Sequence, residues 1–69
     1  MKKYCETLRN LREDHDLTQT NVAKELGISQ QYYSEYENGK NELPIRHLEK
    51  LAELYQVSTD YILHGAKKK

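Results

Sequence analysis

A helix stop and a helix start stand almost on top of each other in the middle of this chain, and they limit the fold more than any other feature. Thr18 is a good N-cap, and Val22, Ala23 and Leu26 form the apolar face of a short helix behind it. Gly27 ends that helix, supplying the positive φ that a C′ position favours. Ser29, two residues on, caps a further helix that runs to about Tyr36 or Glu37, where the turn signal Asn38-Gly39 closes it. Two helices joined this tightly need a small residue where they cross, a glycine in the turn and apolar side chains to lock them. Ala23 and Gly27 meet the first two needs, and Val22, Leu26, Ile28, Tyr33 and Tyr36 meet the third.

The flanks continue the helical pattern. Tyr4, Leu8 and Leu11 recur at four and three residues, the stripe of an amphipathic helix over roughly residues 2–14. Asp14, His15 and Asp16 end it, and Leu17 returns the chain to the core. Pro44 suits the first turn of a fourth helix, whose Ile45, Leu48, Leu51, Ala52 and Tyr55 share a face. Ser58 caps a last short helix carrying Tyr61, Ile62 and Leu63, and Gly65 ends it. No alternating strand pattern or internal repeat interrupts the five helices. With 69 residues the expectation is one all-α domain over 1–65 and a basic tail over 66–69. A chain of this length buries only about 60% of its unfolded surface, so its core must be efficient.

Composition narrows the function classes. No stretch approaches the ~20 apolar residues of a membrane span, and the first ten residues lack the apolar centre of a signal peptide, so a cytoplasmic protein is expected. Cys5 is the single cysteine, read as a packed helix residue, with an intermolecular bridge or redox switch as the other reading. His15, His47 and His64 have no metal-ligand spacing, and His15 is more simply a cation at a helix C-terminus. No His-Glu-x-x-His, glycine-rich phosphate loop or nucleophile elbow is present, so no catalytic residue, metal or cofactor is expected. The 11 basic and 11 acidic residues cancel. Any nucleic-acid reading must therefore rest on pattern rather than bulk charge. Lys67, Lys68 and Lys69 are read as a solubilising tail.

Taken together, Leu17-Thr18-Gln19, Val22-Ala23, Leu26-Gly27-Ile28-Ser29, Tyr33-Ser34, Tyr36-Glu37-Asn38-Gly39 and Pro44 resemble the phage-repressor-like (Cro/cI, XRE-type) helix-turn-helix family. The likeness continues through Leu48, Leu51-Ala52, Val57-Ser58 and Asp60-Tyr61-Ile62-Leu63, with Leu11-Arg12 before it. The resemblance implies a compact five-helix, lambda-repressor-like domain that binds double-stranded DNA as a dimer. It also implies that Arg12 and Glu37 form a structural salt bridge between the first and third helices. Three departures stand out: Asp16 where the family often has glycine, the bulky Tyr33 where a small β-branched residue is usual, and the absence of net positive charge. The phenol of Tyr33 must either pack differently or reach the surface.

In such a fold the third helix presents its N-terminal end to the major groove. Gln30 and Gln31 lie there, and a carboxamide matches adenine N6 and N7. Related repressors place glutamines at the same positions. Ser34 is small enough to allow close approach, and Glu35, one turn beyond Gln31, either accepts from cytosine N4 or belongs to an internal pair. Gln19, Ser29, Tyr32, Asn38, Lys40, Asn41 and Arg46 are the candidates for the DNA backbone. Thr59, Tyr61 and Ile62 are the candidate dimer patch, since family members often pair through this end; alternatively Tyr61 only closes the core. The functions compatible with this reading are a transcriptional repressor acting on a palindromic operator by occlusion, an antitoxin that binds a protein toxin and autoregulates, or a protein-interaction module. The repressor, from a phage or a restriction-modification circuit, is the main expectation, with an antirepressor or toxin as possible protein partner.

Overall fold

The computed structural model describes residues 3–65, so the lysine tail lies outside the described residues. Five helices follow in chain order: α1 (Lys3–Asp14), α2 (Gln19–Leu26), α3 (Gln30–Glu37), α4 (Ile45–Tyr55) and α5 (Thr59–His64). Among the described residues there is no strand. Helices α2 and α3 pack on each other; α1 rests on α3 and α5, and α4 on α5 and α2.

The local signals act where expected. Thr18 Oγ1 accepts from the Asn21 backbone N–H while Asn21 Oδ1 accepts from Thr18 N–H, at 3.1 and 3.0 Å, so α2 begins with a reciprocal capping box. An N-cap of this kind contributes about 1 kcal/mol. Gly27 closes α2 with φ 73°, and the following Ile28 N–H returns 3.0 Å to the Ala23 carbonyl, which leaves only Ser29 before α3. Asp16 adopts φ 57°, the left-handed conformation that a glycine would enter more easily.

The core comprises Tyr4, Cys5, Leu8 and Leu11 of α1, Val22 and Ala23 of α2, Tyr33 and Tyr36 of α3, Leu48, Leu51, Ala52 and Tyr55 of α4, and Ile62 of α5. Leu26 and Ile28 pack at its edge, completing the lock between α2 and α3. Cys5 is fully buried, its thiol 3.2 Å from the Tyr36 carbonyl, as a packed residue.

Three expectations need correction. Pro44 is the extended N-cap of α4 (φ −71°, ψ 157°) and not part of its first turn. Ile45 is 71% exposed, because at 100° per residue it lies roughly 90° from the middle of the stripe His47, Leu48, Leu51, Ala52, Tyr55; buried His47 takes the inward place. Ile62 is fully buried, the inward residue of a helix held between α1 and α4, and so is not available to a dimer patch.

Candidate nucleic-acid interface

Helix α3 divides cleanly by periodicity. Tyr33, Tyr36 and Glu37 face inward and are buried, whereas Gln30, Gln31 and Tyr32 are exposed and Ser34 and Glu35 half-buried. Ser29 starts the helix with its Oγ accepting from Tyr32 N–H at 3.1 Å, and the N–H groups of the exposed Gln30 and Gln31 have no partner within the helix. Tyr32 is 45% exposed and lays its ring edge-on to Tyr36, with centroids 5.5 Å apart.

Behind this turn lies a chain of polar contacts that runs through three helices. The Glu37 carboxylate, 2% exposed, accepts from Arg12 Nε at 2.8 Å, Tyr33 Oη at 2.6 Å, Gln19 Nε2 at 3.0 Å and Arg12 Nη2 at 3.3 Å. Arg12 also donates from Nη1 to the Leu17 carbonyl, pinning the link between α1 and α2. Burial opposes ionisation of Glu37, but the hydrogen bonds from Arg12, Tyr33 and Gln19 outweigh it and hold the carboxyl below its ordinary range. The same contact with Glu37 raises the Arg12 pKa. Tyr33, fully buried, has its ionisation suppressed first by burial and then by Glu37.

The polarity of the chain follows from Glu37. A carboxylate only accepts, so Gln19 turns its N–H group to Glu37 and its oxygen to Gln30, and Gln30 Nε2 donates to Gln19 Oε1 at 2.6 Å. A primary amide has two N–H donors and an acceptor oxygen, so Gln30 keeps the capacity to donate and accept at once. Sequence reasoning named Gln19, Gln30 and Glu37, and paired Glu37 with Arg12 through the family resemblance. It did not find the Glu37–Gln19–Gln30 connection, because spacing along the chain carries no record of which side chains meet across helices.

The turn after α3 is equally fixed. Gly39 has φ 78°, a left-handed conformation that favours glycine; the space is not the reason, since a Cβ there would meet Cys5 Sγ at an ordinary contact distance of 3.5 Å. Lys40 and Asn41 return their N–H groups to the Glu35 carbonyl at 2.9 and 3.3 Å. The Glu35 carboxylate accepts from Asn41 Nδ2 at 2.5 Å, and Asn38 Nδ2 donates to Ser34 Oγ at 3.4 Å. Tyr4 clamps the far end of the loop: its hydroxyl donates to the Asn41 carbonyl and accepts from Leu43 N–H. Beyond it, the Tyr36 hydroxyl meets His47 Nδ1 at 2.8 Å. Asn38, Lys40 and Arg46 are exposed and Asn41 half-buried. Tyr4 and His47 were not anticipated here; their polar tips on otherwise core-like positions were the available signal.

Away from this surface, Thr59 and Tyr61 are half-buried, and Tyr61 borders a shallow groove with Ser58, Asp60, His64 and Gly65. Among the described residues no group of three His, Cys, Asp or Glu is placed to hold a metal ion. No described helix is long and apolar enough to cross a membrane.

Comparison with known proteins follows this geometry. Residues 8–62 match the family model described as Helix-turn-helix. The HTH-type transcriptional regulator YobD of Bacillus subtilis (strain 168) is 45% identical over 60 residues, covering 87% of this chain and 54% of that protein. The SPbeta prophage-derived HTH-type transcriptional regulator YonR of the same organism is 40% identical over 62 residues, covering 90% and 57%. The chain thus spans about half the length of the curated relatives it matches. The P22 c2 repressor, solved in complex with a synthetic operator, superposes with a TM-score of 0.84 at 28% identity, covering 94% of this chain and 98% of that one. A transcriptional regulator from Listeria innocua shares the fold with a TM-score of 0.86 at 21% identity, covering 100% of this chain and 65% of that one.

Proposed function

The chain belongs to the helix-turn-helix family, whose members are DNA-binding transcriptional regulators and not enzymes, and we propose that it is a sequence-specific repressor that binds a palindromic operator as a dimer and excludes polymerase. The observation that carries this reading is the exposed first turn of α3, where Gln30 and Gln31 stand on a helix linked through Gln19 to the buried Glu37. An α-helix of this kind fits the major groove, and a glutamine there reads adenine through N6 and N7.

Residues 1–65 form the DNA-reading unit, with Gln30, Gln31 and Ser34 at the base edges. Glu35 serves instead to hold Asn41, given their 2.5 Å contact. Gln19, Ser29 and Tyr32 at the first turn of α3, and Asn38, Lys40, Asn41 and Arg46 beyond its other end, grip phosphates; these donors position the domain without any net positive charge on the chain. A second copy docks through Thr59 and Tyr61, with Ile62 supporting them from the core. Dimer formation sets two half-sites about one helical turn apart.

The test is selection of bound duplexes from a random pool, followed by titration of the winner at several salt concentrations. A palindromic winner bound with a negative salt slope, and lost in Gln30→Ala and Gln31→Ala, supports the repressor. No enrichment from folded protein at low salt, at concentrations high enough to dimerise, overturns it and turns the search to a protein partner.

A further inference from the structure

We propose that Tyr33 is a positioning residue for base recognition: its hydroxyl fixes the Glu37 carboxylate in the orientation that holds Gln19, and through Gln19 the reading amide of Gln30. This inference rests on the DNA-reading function above. Four donors meet Glu37, two on each oxygen, so its acceptor sites are filled. On Oε2 stand Arg12 Nε at 2.8 Å and Tyr33 Oη at 2.6 Å. On Oε1 stand Gln19 Nε2 at 3.0 Å and Arg12 Nη2 at 3.3 Å.

The Arg12 fork is uneven, with one tooth 2.8 Å and the other 3.3 Å from its oxygen. Left to itself, a guanidinium and a carboxylate settle into two parallel bonds of similar length. The shortest bond on the carboxylate is the one from Tyr33, whose ring is fully buried and lies one helical turn before Glu37. A short, charge-assisted bond from an immobile ring holds the carboxylate turned away from the even fork. That turn leaves Oε1 within reach of Gln19, which passes the constraint to Gln30 at 2.6 Å. An aliphatic residue at position 33 would supply no donor, and phenylalanine would fill nearly the same space without one. Removing the hydroxyl lets the carboxylate rotate toward Arg12 Nη2 and away from Gln19, so Gln30 loses its reference point while the fold stays intact.

The experiment compares the parent with Tyr33→Phe, placed on a Gln56→Gly background if extra stability is needed to keep it folded. Side-chain amide resonances of Gln19 and Gln30 are recorded in the free protein, and base preferences are recorded from a random duplex pool, with Gln30→Ala marking the base pair that Gln30 reads. The expected result is a shift of both amide signals and a relaxation of preference at that one base pair by about fivefold, the size of one modest hydrogen-bond contribution. Preferences elsewhere and the salt slope stay unchanged. Unmoved amides, an unmoved preference, or a uniform loss of affinity at every position would overturn the role given to Tyr33. Should the parent select no duplex at all, the DNA-reading function fails, and the amide signals alone decide whether Tyr33 holds the Gln19–Gln30 pair.

Discussion

The Tyr36 hydroxyl lies 2.8 Å from His47 Nδ1, a buried hydrogen bond that ties the end of α3 to the start of α4. Their rings meet edge-on with centroids 5.8 Å apart, so the contact combines packing with polarity. Together with the Tyr4 hydroxyl, which holds Asn41 and Leu43, it anchors the loop 38–44 to the core.

Burial, helped by nearby Arg46, lowers the His47 pKa from its ordinary value of 6.5. The unfolded chain then takes up this proton more readily than the folded one. Its contribution to stability is complete above about pH 6.5 and is lost as the pH falls through the folded value. Glu37, whose pKa is also lowered from 4.5, adds a second loss at more acid pH. Urea midpoints measured from pH 8 to 4 should begin to fall near 6.5, and His47→Gln should remove that upper limb. A flat profile from pH 7 to 5 would contradict the burial of a neutral His47.

Arg12→Met leaves the Glu37 charge in a nearly dry site with only Tyr33 and Gln19 to compensate. Removing one partner of a buried pair costs about 3–5 kcal/mol, comparable with the whole stability of a domain this small. The single variant should be largely unfolded, whereas Arg12→Met with Glu37→Leu should recover much of the loss. A double variant less stable than the single one would mean that packing, not the unpaired charge, dominates.

Gln30→Ala and Gln31→Ala should each weaken binding to the selected operator by about 1–3 kcal/mol, the value of a bidentate contact to a base. Because both side chains are exposed, their melting temperatures should stay near the parent's. Lys40→Ala should weaken all sequences alike and reduce the salt slope by about one unit. An equal loss of affinity for random DNA in Gln31→Ala would place that residue on the backbone.

Tyr55 is 3% exposed, its hydroxyl is without a hydrogen-bond partner among the described residues, and burial pushes its pKa up to about 12. Tyr55→Phe removes that orphaned group and should leave stability unchanged or raise it by about 1 kcal/mol, or roughly 4–8 °C in melting temperature. A clear loss would reveal a partner for the hydroxyl in solution.

Gln56 ends α4 in the left-handed region, with φ 57° and ψ 48°, where a side chain costs about 1–2 kcal/mol. Gln56→Gly relieves the cost but gives the unfolded chain more freedom, so the net gain should be a few tenths to about 1 kcal/mol. Gln56→Val should lose stability, since a β-branched residue fits this region worst. Thermal melts in the order glycine, glutamine, valine check both statements.

Most of the secondary structure was legible residue by residue. Thr18, Ser29 and Ser58 each cap a helix with their own side-chain oxygen, and Gly27, Gly39 and Gly65 each take a positive φ. The left-handed Gln56 was not legible, since no local preference marks glutamine for that conformation and the return of Val57 to the Ala52 carbonyl imposes it. Of the interface, the outward glutamines followed from periodicity, but the position of Glu35 on Asn41 did not, because both partners are polar residues that would also be stable in water.

What the amino-acid order determined alone was therefore what is encoded within one or two turns: five helices, the Thr18, Ser29 and Ser58 caps, the tight turn between α2 and α3, and the polar face of α3. These depend on dihedral preference, a hydroxyl within reach of its own backbone, and a period of 3.6 residues. Apart from the Arg12–Glu37 pair, which the family resemblance implied, only the tertiary structure decided which side chains meet from distant helices. It buried Ile62 and exposed Ile45, put His47 on Tyr36, and gathered Arg12, Gln19, Tyr33 and Glu37 into one hub. The physical reason is that burial and charge pairing depend on where whole helices come to rest, and three helices must pack together before one carboxylate can find four donors.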